Sequence, residues 1–338
     1  MRAYFVIDSL FKTACNTLTN LNNYFMKKLL LSLAMVLFAS QMIFAQEAEQ
    51  KPWTHGGFVG FNISQSHFSN WTAGGQDNVN GLGTFKYNIN YLNDKSKWDN
   101  TLDLALGYSL YDLNKKPLKT DDRINFSSLY GYDVVKEELY VTANLNFQSQ
   151  FANGYNYAAD STTRISGFLA PAYLTVGLGA QYTPTKWFSL NLAPASGRLT
   201  IVNDQTLADA GAFGVKGAVI DPLTGEILEH GSKFRMELGA QLIANVNYEI
   251  FKNVVFTSKL IVFYDYMQTR ELNALGEKYG CRLDFDWDNA LVMKINSWLN
   301  CNVSARLIYD EDIKPIVEDH SFLQFKEVLS VGLSYRIP

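Results

Sequence analysis

Apolar and polar residues alternate along most of the chain after residue 55, and this alternation predicts β-strands. In residues 234–249, one face of an extended strand would be apolar, with Met236, Leu238, Ala240, Leu242, Ala244, Val246 and Tyr248. The other face would be mostly polar, with Arg235, Glu237, Gly239, Gln241, Asn245 and Asn247, and Ile243 as the one apolar exception. A helix would scatter the apolar residues around its axis. Residues 138–151 repeat the pattern.

The alternation predicts twelve strands, most of them longer than the five or six residues usual in soluble sheets. Most are long enough to cross a bilayer at a tilt, which takes about 9–11 residues. The predicted strands are residues 56–68, 79–91, 98–110, 122–133, 138–151, 168–182, 186–194, 234–249, 253–266, 282–296, 299–310 and 322–337.

Short connections follow the even-numbered strands and long connections follow the odd-numbered ones. Short periplasmic turns and long extracellular loops are the layout of outer-membrane barrels. The final segment, residues 329–337, alternates Leu, Val and Tyr with Ser, Gly and Arg, and pairing with the first strand would cover its edge. We therefore expect an all-β fold, a single antiparallel transmembrane β-barrel of about 12 strands.

A soluble periplasmic sandwich or barrel would also alternate. Such a protein would bury one face in a tight core, whereas here the polar faces carry many charges and the apolar faces are equally continuous. Aromatic residues also lie near the predicted short turns, as an interfacial girdle requires. They are Tyr91, Trp98, Tyr132, Trp187, Tyr248 and Trp298. The membrane barrel is the favoured interpretation.

The longest predicted loop, residues 195–233, is long enough to have a function of its own. Residues 204–213 could form a short helix, and residues 219–228 read as a β-hairpin around Pro222-Leu223-Thr224-Gly225. The loop could fold into the lumen as a plug or cover its mouth as a lid.

The first 45 residues read as an export signal and an upstream extension. Met26-Lys27-Lys28, an apolar run and Ile43-Phe44-Ala45 fit a signal peptide over residues 26–45. Residues 1–25 before this signal then indicate a start codon assigned too early, and the alternative is an unusually long basic region at the start of the signal. Residues 46–338 would form the barrel domain, and the signal predicts export to the cell outer membrane, with its lipid as a partner.

Composition excludes several other classes of protein. With 47% hydrophobic residues the chain is not disordered, and a mean hydropathy of −0.08 is too polar for a helical membrane bundle. A net charge of −4 argues against nucleic acid as a partner. The three cysteines are too few for a disulfide scaffold, and Cys281 and Cys301 would lie too far apart to form a disulfide or a metal site.

Charged residues on the predicted inward faces mix both signs, so no strong ion preference follows. The expected lumen-lining residues are Lys86, Asp103, Arg123, Glu138, Arg235, Glu237, Lys259, Arg282, Asp288 and Arg306. An acidic cluster near the outer mouth would combine Asp265, Asp284, Asp286, Asp310 and Asp312. Such a cluster could hold a divalent cation. The favoured alternative is that Arg282, Arg306 and Lys259 neutralise it.

Catalytic chemistry and a cofactor are not indicated by any motif. His67 with Ser69 and Asn70 faintly resembles the pair used by twelve-stranded outer-membrane phospholipases, and interfacial polar residues are the simpler explanation. The segment around Trp71 could be a ligand platform, with anchoring at the membrane edge as the favoured role.

Seven segments resemble a Bacteroidetes outer-membrane β-barrel family of unknown function (DUF3078-like). The segments are residues 70–75, 98–104, 119–122, 130–132, 168–173, 208–214 and 309–312. The resemblance implies an outer-membrane barrel and brings no activity, substrate or catalytic residue. The first functional hypothesis is a passive channel or solute-binding transporter for a small solute. The alternatives are a non-conducting scaffold barrel of the envelope and, less favoured, an outer-membrane lipid hydrolase.

Overall fold

The computed structural model describes residues 52–66, 78–111, 117–135, 138–156, 163–267, 271–272, 278–279, 283–310, 312 and 323–338. Twelve antiparallel strands form one closed barrel, which confirms the predicted fold class. The strands are β1 Trp53–Ser66, β2 Asn78–Asn93, β3 Ser96–Leu110, β4 Leu118–Val135, β5 Leu139–Ser149, β6 Ala172–Thr185, β7 Phe188–Ile201, β8 Phe234–Phe251, β9 Val254–Asp265, β10 Leu283–Lys294, β11 Leu299–Tyr309 and β12 Leu323–Ile337.

Each strand pairs with the next along the chain, and β12 pairs with β1. At this seam Gly57 lies opposite Ile337 and Asn62 lies opposite Gly332. Every barrel strand therefore has a hydrogen-bonded neighbour on both sides, and the barrel has no open edge.

The two faces of the wall follow the alternation in the sequence. On β8, Met236 is 67% exposed on the outside, whereas the next residue, Glu237, is 2% exposed and points inward. On β12, Leu329 and Tyr335 are exposed on the outside. An exposed apolar surface that continues around a barrel requires lipid against it.

Polar groups on the outer face find partners within the wall. The indole N–H of Trp98 donates to Ser128 Oγ at 2.8 Å, and that of Trp287 donates to Ser258 Oγ at 2.9 Å. The acyl chains of lipids offer no hydrogen-bond acceptors, so internal pairing satisfies an N–H group that faces them.

Short turns gather at the end of the barrel that also holds the start of β1 and the end of β12. Asp94 and Asn253 adopt positive φ in two of these turns, a conformation that Asp and Asn tolerate. Exposed aromatic residues ring this end, and the Trp53 ring lies 4.9 Å from Tyr91 and 6.0 Å from Trp98 between centroids. The predicted aromatic girdle is present here.

One predicted boundary is wrong, because β7 continues past Pro194 to Ile201 instead of ending there. Both neighbouring strands shift register at this point, since Gly239 pairs with Ser196 while Gln241 pairs with Ala193. A bulge accommodates proline, which has no N–H to give to the ladder. The long loop therefore spans residues 202–233 and not 195–233.

The loop of residues 202–233 contributes to a small apolar core that also includes Ala170 from the loop before β6. It contains a five-residue helix, Gln205–Asp209, capped by Asp204, whose side chain accepts the Leu207 N–H at 3.0 Å. A 3-10 turn, Ala212–Gly214, and a hairpin of Val219–Ile220 with Ile227–Glu229 follow. The helix and the hairpin both match the sequence prediction. The buried residues are Ala170, Val202, Leu207, Ala208 and Val215.

Two further short strand pairs lie in other loops, Gly154–Tyr155 with Arg164–Ser166 and Glu271–Leu272 with Lys278–Tyr279. Among the helices that the structure describes, none is both long and apolar enough to cross a membrane. The predicted extension and signal peptide, residues 1–45, lie outside the described residues.

Candidate functional site

A buried ion-pair cluster lies inside the long-loop end of the barrel. Arg198 on β7 binds Glu237 on β8 through two bonds, Nε to Oε2 at 2.8 Å and Nη2 to Oε1 at 2.6 Å. Its Nη2 also reaches Asp284 on β10 at 2.6 Å, and its guanidinium lies 4.4 Å from the Phe263 ring centroid. Arg198 thus joins three strands. We name these residues, with Arg235, Asp265, Asp310 and Asp312, the loop-end cluster.

Arg235 connects the loop-end cluster to the loops above it. Its guanidinium lies 3.3 Å from Glu237 and 4.0 Å from Asp265, and it also binds Asp312. A methyl group added at Gly214, in the 3-10 turn, would collide with Arg235 and Asp312. The loop of residues 202–233 therefore packs directly against this cluster.

The expected acidic cluster is divided between two places. Asp284 lies beside Asp310, as the strand register with Phe285 opposite Tyr309 requires, and Asp265 and Asp312 lie near Arg235. Asp286 faces Ile308 and belongs to a different group. Among the described residues, no group of three or more His, Cys, Asp or Glu side chains is arranged to hold a metal ion.

Asp310 follows Tyr309, the last residue of β11, and its side chain is buried. Burial raises the pKa of its carboxyl group, the positive charge of Arg198 opposes that increase, and the negative charge of Asp312 adds to it. The Asp310 carboxylate also accepts the Asp312 N–H at 2.9 Å. The cluster thus contains more carboxyl groups than guanidinium groups and depends on its two arginines.

A second group of charges, the central network, crosses the middle of the lumen. Arg306 binds Asp286 through two bonds of 2.8 and 2.7 Å. Arg123 on β4 lies 3.2 Å from Asp103 on β3 and 3.9 Å from Asp288 on β10. Since β4 and β10 are opposite each other in the closed strand order, the second contact spans the lumen. The remaining members are Lys86, Asp121, Lys259 and Lys326.

The inward side chains of β5–β8 form the packed side. Away from the loop-end cluster with its pair of Arg198 and Glu237, they meet through hydrogen bonds between neutral groups. Asn144 on β5 donates to Gln241 on β8 at 2.7 Å, although β6 and β7 lie between these strands. Asn191 on β7 donates to Thr142 on β5 at the same distance. Thr142 and Asn191 are only 3% and 2% exposed, so this side of the lumen is filled.

A cavity of about 1420 Å³ lies inside the barrel beside the packed side. Its wall comes mainly from β1–β4 and β9–β12, and it includes most of the central network. Leu207, Ala210, Ala212 and Phe213 of the long loop also line it. The cavity is thus bounded by charged strands on its sides and by small and apolar loop residues at the long-loop end.

The loop is held together by Asp209 at the end of its helix. Gln205 donates to the Asp209 carboxylate at 2.8 Å, the Gly231 N–H donates at 2.7 Å, and His230 lies at 3.0 Å. The bond from Gln205, with those from Gly231 and His230, holds the pKa of Asp209 below its usual range. This carboxylate joins the helix to the segment that leads into β8.

Most of the expected lumen-lining residues do face inward. Lys86, Asp103, Arg123, Lys259, Asp288 and Arg306 line the cavity, and Arg235 and Glu237 lie in the loop-end cluster. Glu138 is exposed in the short turn before β5 and is not among the residues that line the cavity, because the strand begins one residue later. Arg282 lies outside the described residues, as do His67, Ser69, Trp71 and Cys281. Cys301 is a free thiol on the outer face, opposite Met293.

Sequence reasoning missed Arg198, Lys119, Asp121, Asp122 and Lys326. Arg198 was assigned to a loop, yet Arg198 and Thr200 alternate with Leu199 and Ile201 beyond Pro194. That continued alternation was the available signal. Lys119 binds Asp122 at 3.0 Å and Lys326 binds Asp121 at 2.8 Å, both at positions near predicted strand ends.

Residues 63–155 match the family model described as "Protein of unknown function (DUF3078)". This confirms the resemblance inferred from the sequence for four of the seven segments, and residues 168–173, 208–214 and 309–312 lie beyond the match. Among curated proteins, a search found no match.

Several solved outer-membrane proteins are similar in fold, all at low sequence identity. An outer membrane channel from Pseudomonas putida F1 is 12% identical with a TM-score of 0.37, and the match covers 86% of this chain and 97% of the channel. Outer membrane phospholipase A from Escherichia coli is 11% identical with a TM-score of 0.37, covering 84% and 97%. The NanC porin is 11% identical with a TM-score of 0.33, covering 84% and 97%.

Sequence identities and TM-scores this low assign no activity to this chain. The chain resembles, over residues 63–155, a family of unknown function (DUF3078), and its described residues form a closed twelve-stranded β-barrel of the outer-membrane type.

Proposed function

We propose that this protein is an outer-membrane barrel that binds or passes a small solute, with residues 202–233 acting as a lid. The observation that carries the proposal is the cavity of about 1420 Å³ inside a wall whose outer face is apolar. Ligand pockets are commonly 300–1,000 Å³, so the cavity has room for a small solute and its water.

The charges around the cavity support a hydrated interior. The Arg123 and Asp288 side chains are 29% and 43% exposed, although they face into the barrel. An ion pair that water can reach is weak, at about 0–1 kcal/mol, so it can open and reform as a solute passes. A sealed structural core would instead pack these side chains tightly.

The lid is supported by the contacts of the loop with the cavity and the loop-end cluster. Phe213 and Ala212 line the cavity, and Gly214 lies against Arg235 and Asp312. The loop leaves β7 and returns to β8, with the Val202 N–H donating to the Lys233 carbonyl at 2.8 Å. Its base is therefore closed on itself, and the lid can be shortened without breaking the barrel.

The experiment compares the full chain with a variant in which residues 204–231 are replaced by a short Gly-Ser linker. Both are reconstituted in planar bilayers, and single-channel conductance and liposome swelling with neutral sugars are measured. We expect the shortened variant to conduct more and to admit larger sugars. A variant that folds, shown by heat-dependent mobility in gel electrophoresis, yet is as silent as the parent would contradict both lid and channel.

A second function, a non-conducting scaffold of the envelope, is favoured by the contacts that cross the lumen. Arg123 with Asp288 and Asn144 with Gln241 both bridge non-neighbouring strands. If these contacts seal the lumen, the barrel stays silent without its loop and co-purifies with other envelope proteins. The conductance of the loop variant therefore distinguishes the two functions.

A further inference from the structure

We infer that the lumenal cavity binds small anions that carry a carboxylate or phosphate group, through Lys86 and Lys259. The inference rests on the proposed binding or passage of a solute and names its chemical class. Both lysines line the cavity, Lys86 on β2 and Lys259 on β9. These strands are five positions apart around the closed barrel, so the two ammonium groups approach the cavity from nearly opposite sides.

Carboxylates of the central network already have a cation at close range. Asp103 pairs with Arg123 at 3.2 Å, Asp286 with Arg306 at 2.7 Å, and Asp121 with Lys326 at 2.8 Å. Among the residues that the structure describes, Lys86 and Lys259 have neither an ion pair within 4.0 Å nor a side-chain hydrogen bond. These two positive charges are available to a ligand.

The two lysine ammonium groups line the same cavity, and the charge of Lys86 acts on Lys259. The charges that act on the Lys259 ammonium group include Lys86 and the carboxylates of Asp286, Asp103 and Asp288. Two like charges within electrostatic reach repel each other, and an anion between them removes that repulsion. Bonds from an ammonium group to an anionic oxygen are charge-assisted and roughly twice as strong as neutral ones.

Neutral polar groups line the same cavity as the lysines and can bind the remainder of the solute. The same cavity wall presents the hydroxyl and amide groups of Thr84, Asn125, Ser127, Asn245 and Thr257. Asp288 opposes an anion, because it lies next to Lys259 in the strand register and its one ion pair among the described residues is the 3.9 Å contact with Arg123. Its removal should therefore strengthen anion binding.

The experiment measures binding of glucose 6-phosphate, gluconate and glucose to the full chain in detergent by calorimetry. We expect both anions to bind more tightly than glucose. Lys86→Gln and Lys259→Gln should each weaken anion binding about tenfold. Asp288→Asn should tighten it, and the control Lys252→Gln, in the short turn between β8 and β9, should leave it unchanged.

Equal binding of glucose and glucose 6-phosphate, or wild-type binding by both lysine variants, would overturn the inference. Tight binding of only one anion identifies phosphate or carboxylate as the preferred group and supports it. Because binding is measured without a membrane, a barrel that conducts but shows no preference for anions refutes this inference alone. A barrel that binds the anions yet passes no solute refutes passage and supports the site.

Discussion

Thr142 and Asn191 on the packed side are almost completely buried, whereas the side chains of Arg123 and Asp286 in the central network are 29% and 24% exposed. All four side chains point into the lumen of the same barrel. On the packed side small residues such as Gly177 let neighbouring strands bring their polar groups into direct contact. On the cavity side, long charged side chains meet across a gap that they do not fill.

The difference matters because the same interaction changes in strength with its exposure to water. Breaking a buried ion pair leaves an uncompensated charge and costs about 3–5 kcal/mol, whereas exposed pairs contribute about 0–1 kcal/mol. The packed side should therefore hold the shape of the barrel. The cavity side should be free to rearrange around a solute, which is what the proposed function requires.

The largest expected effect is on the buried arginine. Arg198→Ala leaves Glu237 and Asp284 without their shared cation, and we expect the free energy of unfolding to fall by about 3–5 kcal/mol. The measurement is a urea titration of the full chain in detergent micelles, followed by tryptophan fluorescence.

Arg306→Ala is the matched control, because Arg306 also binds a carboxylate through Nε and Nη2. Its side chain is 31% exposed, against 12% for Arg198. We expect a loss of about 1 kcal/mol or less for this variant. Equal losses for the two arginines would show that burial does not separate the two sides.

A smaller effect should follow from adding one methyl group to the packed side. In Gly177→Ala the new Cβ would collide with Asn144 Oδ1 and lie 2.7 Å from Ser196 Oγ. We expect a loss of about 1–3 kcal/mol in the free energy of unfolding, which is typical of overpacking. The measurement is the same urea titration.

Gly83→Ala supplies the comparison within the wall, because its nearest neighbour would be the Leu106 carbonyl at 3.9 Å. Here the substitution should be neutral or stabilise the barrel by about 0.4–1 kcal/mol, through the unfolded chain. Destabilisation of both variants by the same amount would point to a general cost of replacing glycine and not to tight packing beside Asn144.

Strand periodicity predicted inward positions on both sides of the lumen. Lys86, Asp103 and Arg123 on the cavity side, like Glu237 on β8, lie on alternating strands, so their inward direction follows from position. The sequence analysis does not place Arg198 on a strand, because Pro194 suggested that the strand ends there. The bulge that accommodates this proline depends on the two neighbouring strands, which a single segment does not reveal.

Partners across the lumen could not be predicted from the sequence. Arg123 and Asp288 are 165 positions apart, and their contact depends on the closure and width of the whole barrel. Arg306 was expected to neutralise the acidic cluster that included Asp286, and it does bind Asp286, since both residues lie on one hairpin with a short turn. Local register can thus be predicted, whereas cross-lumen geometry cannot.

The smallest expected effect concerns the loop above both sides, and it depends on pH. The pKa of Asp209 is lowered in the folded loop by its bonds from Gln205, Gly231 and His230. A group with a lowered folded pKa stabilises the fold above its unfolded pKa, about 3.9 for Asp, and that contribution is lost as the pH falls through the folded value. The loop of residues 202–233 should therefore loosen below about pH 4 while the barrel stays closed.

Hydrogen exchange of the backbone amides of residues 205–231 between pH 6 and pH 3, corrected for intrinsic rates, measures this loosening. Asp209→Asn should exchange faster than the parent at pH 6 and show a weaker dependence on pH. If the variant and the parent lose protection in parallel as the pH falls, the Asp209 carboxylate does not stabilise the loop. The apolar core around Leu207 and Ala208 then holds the loop, as close packing holds the packed side.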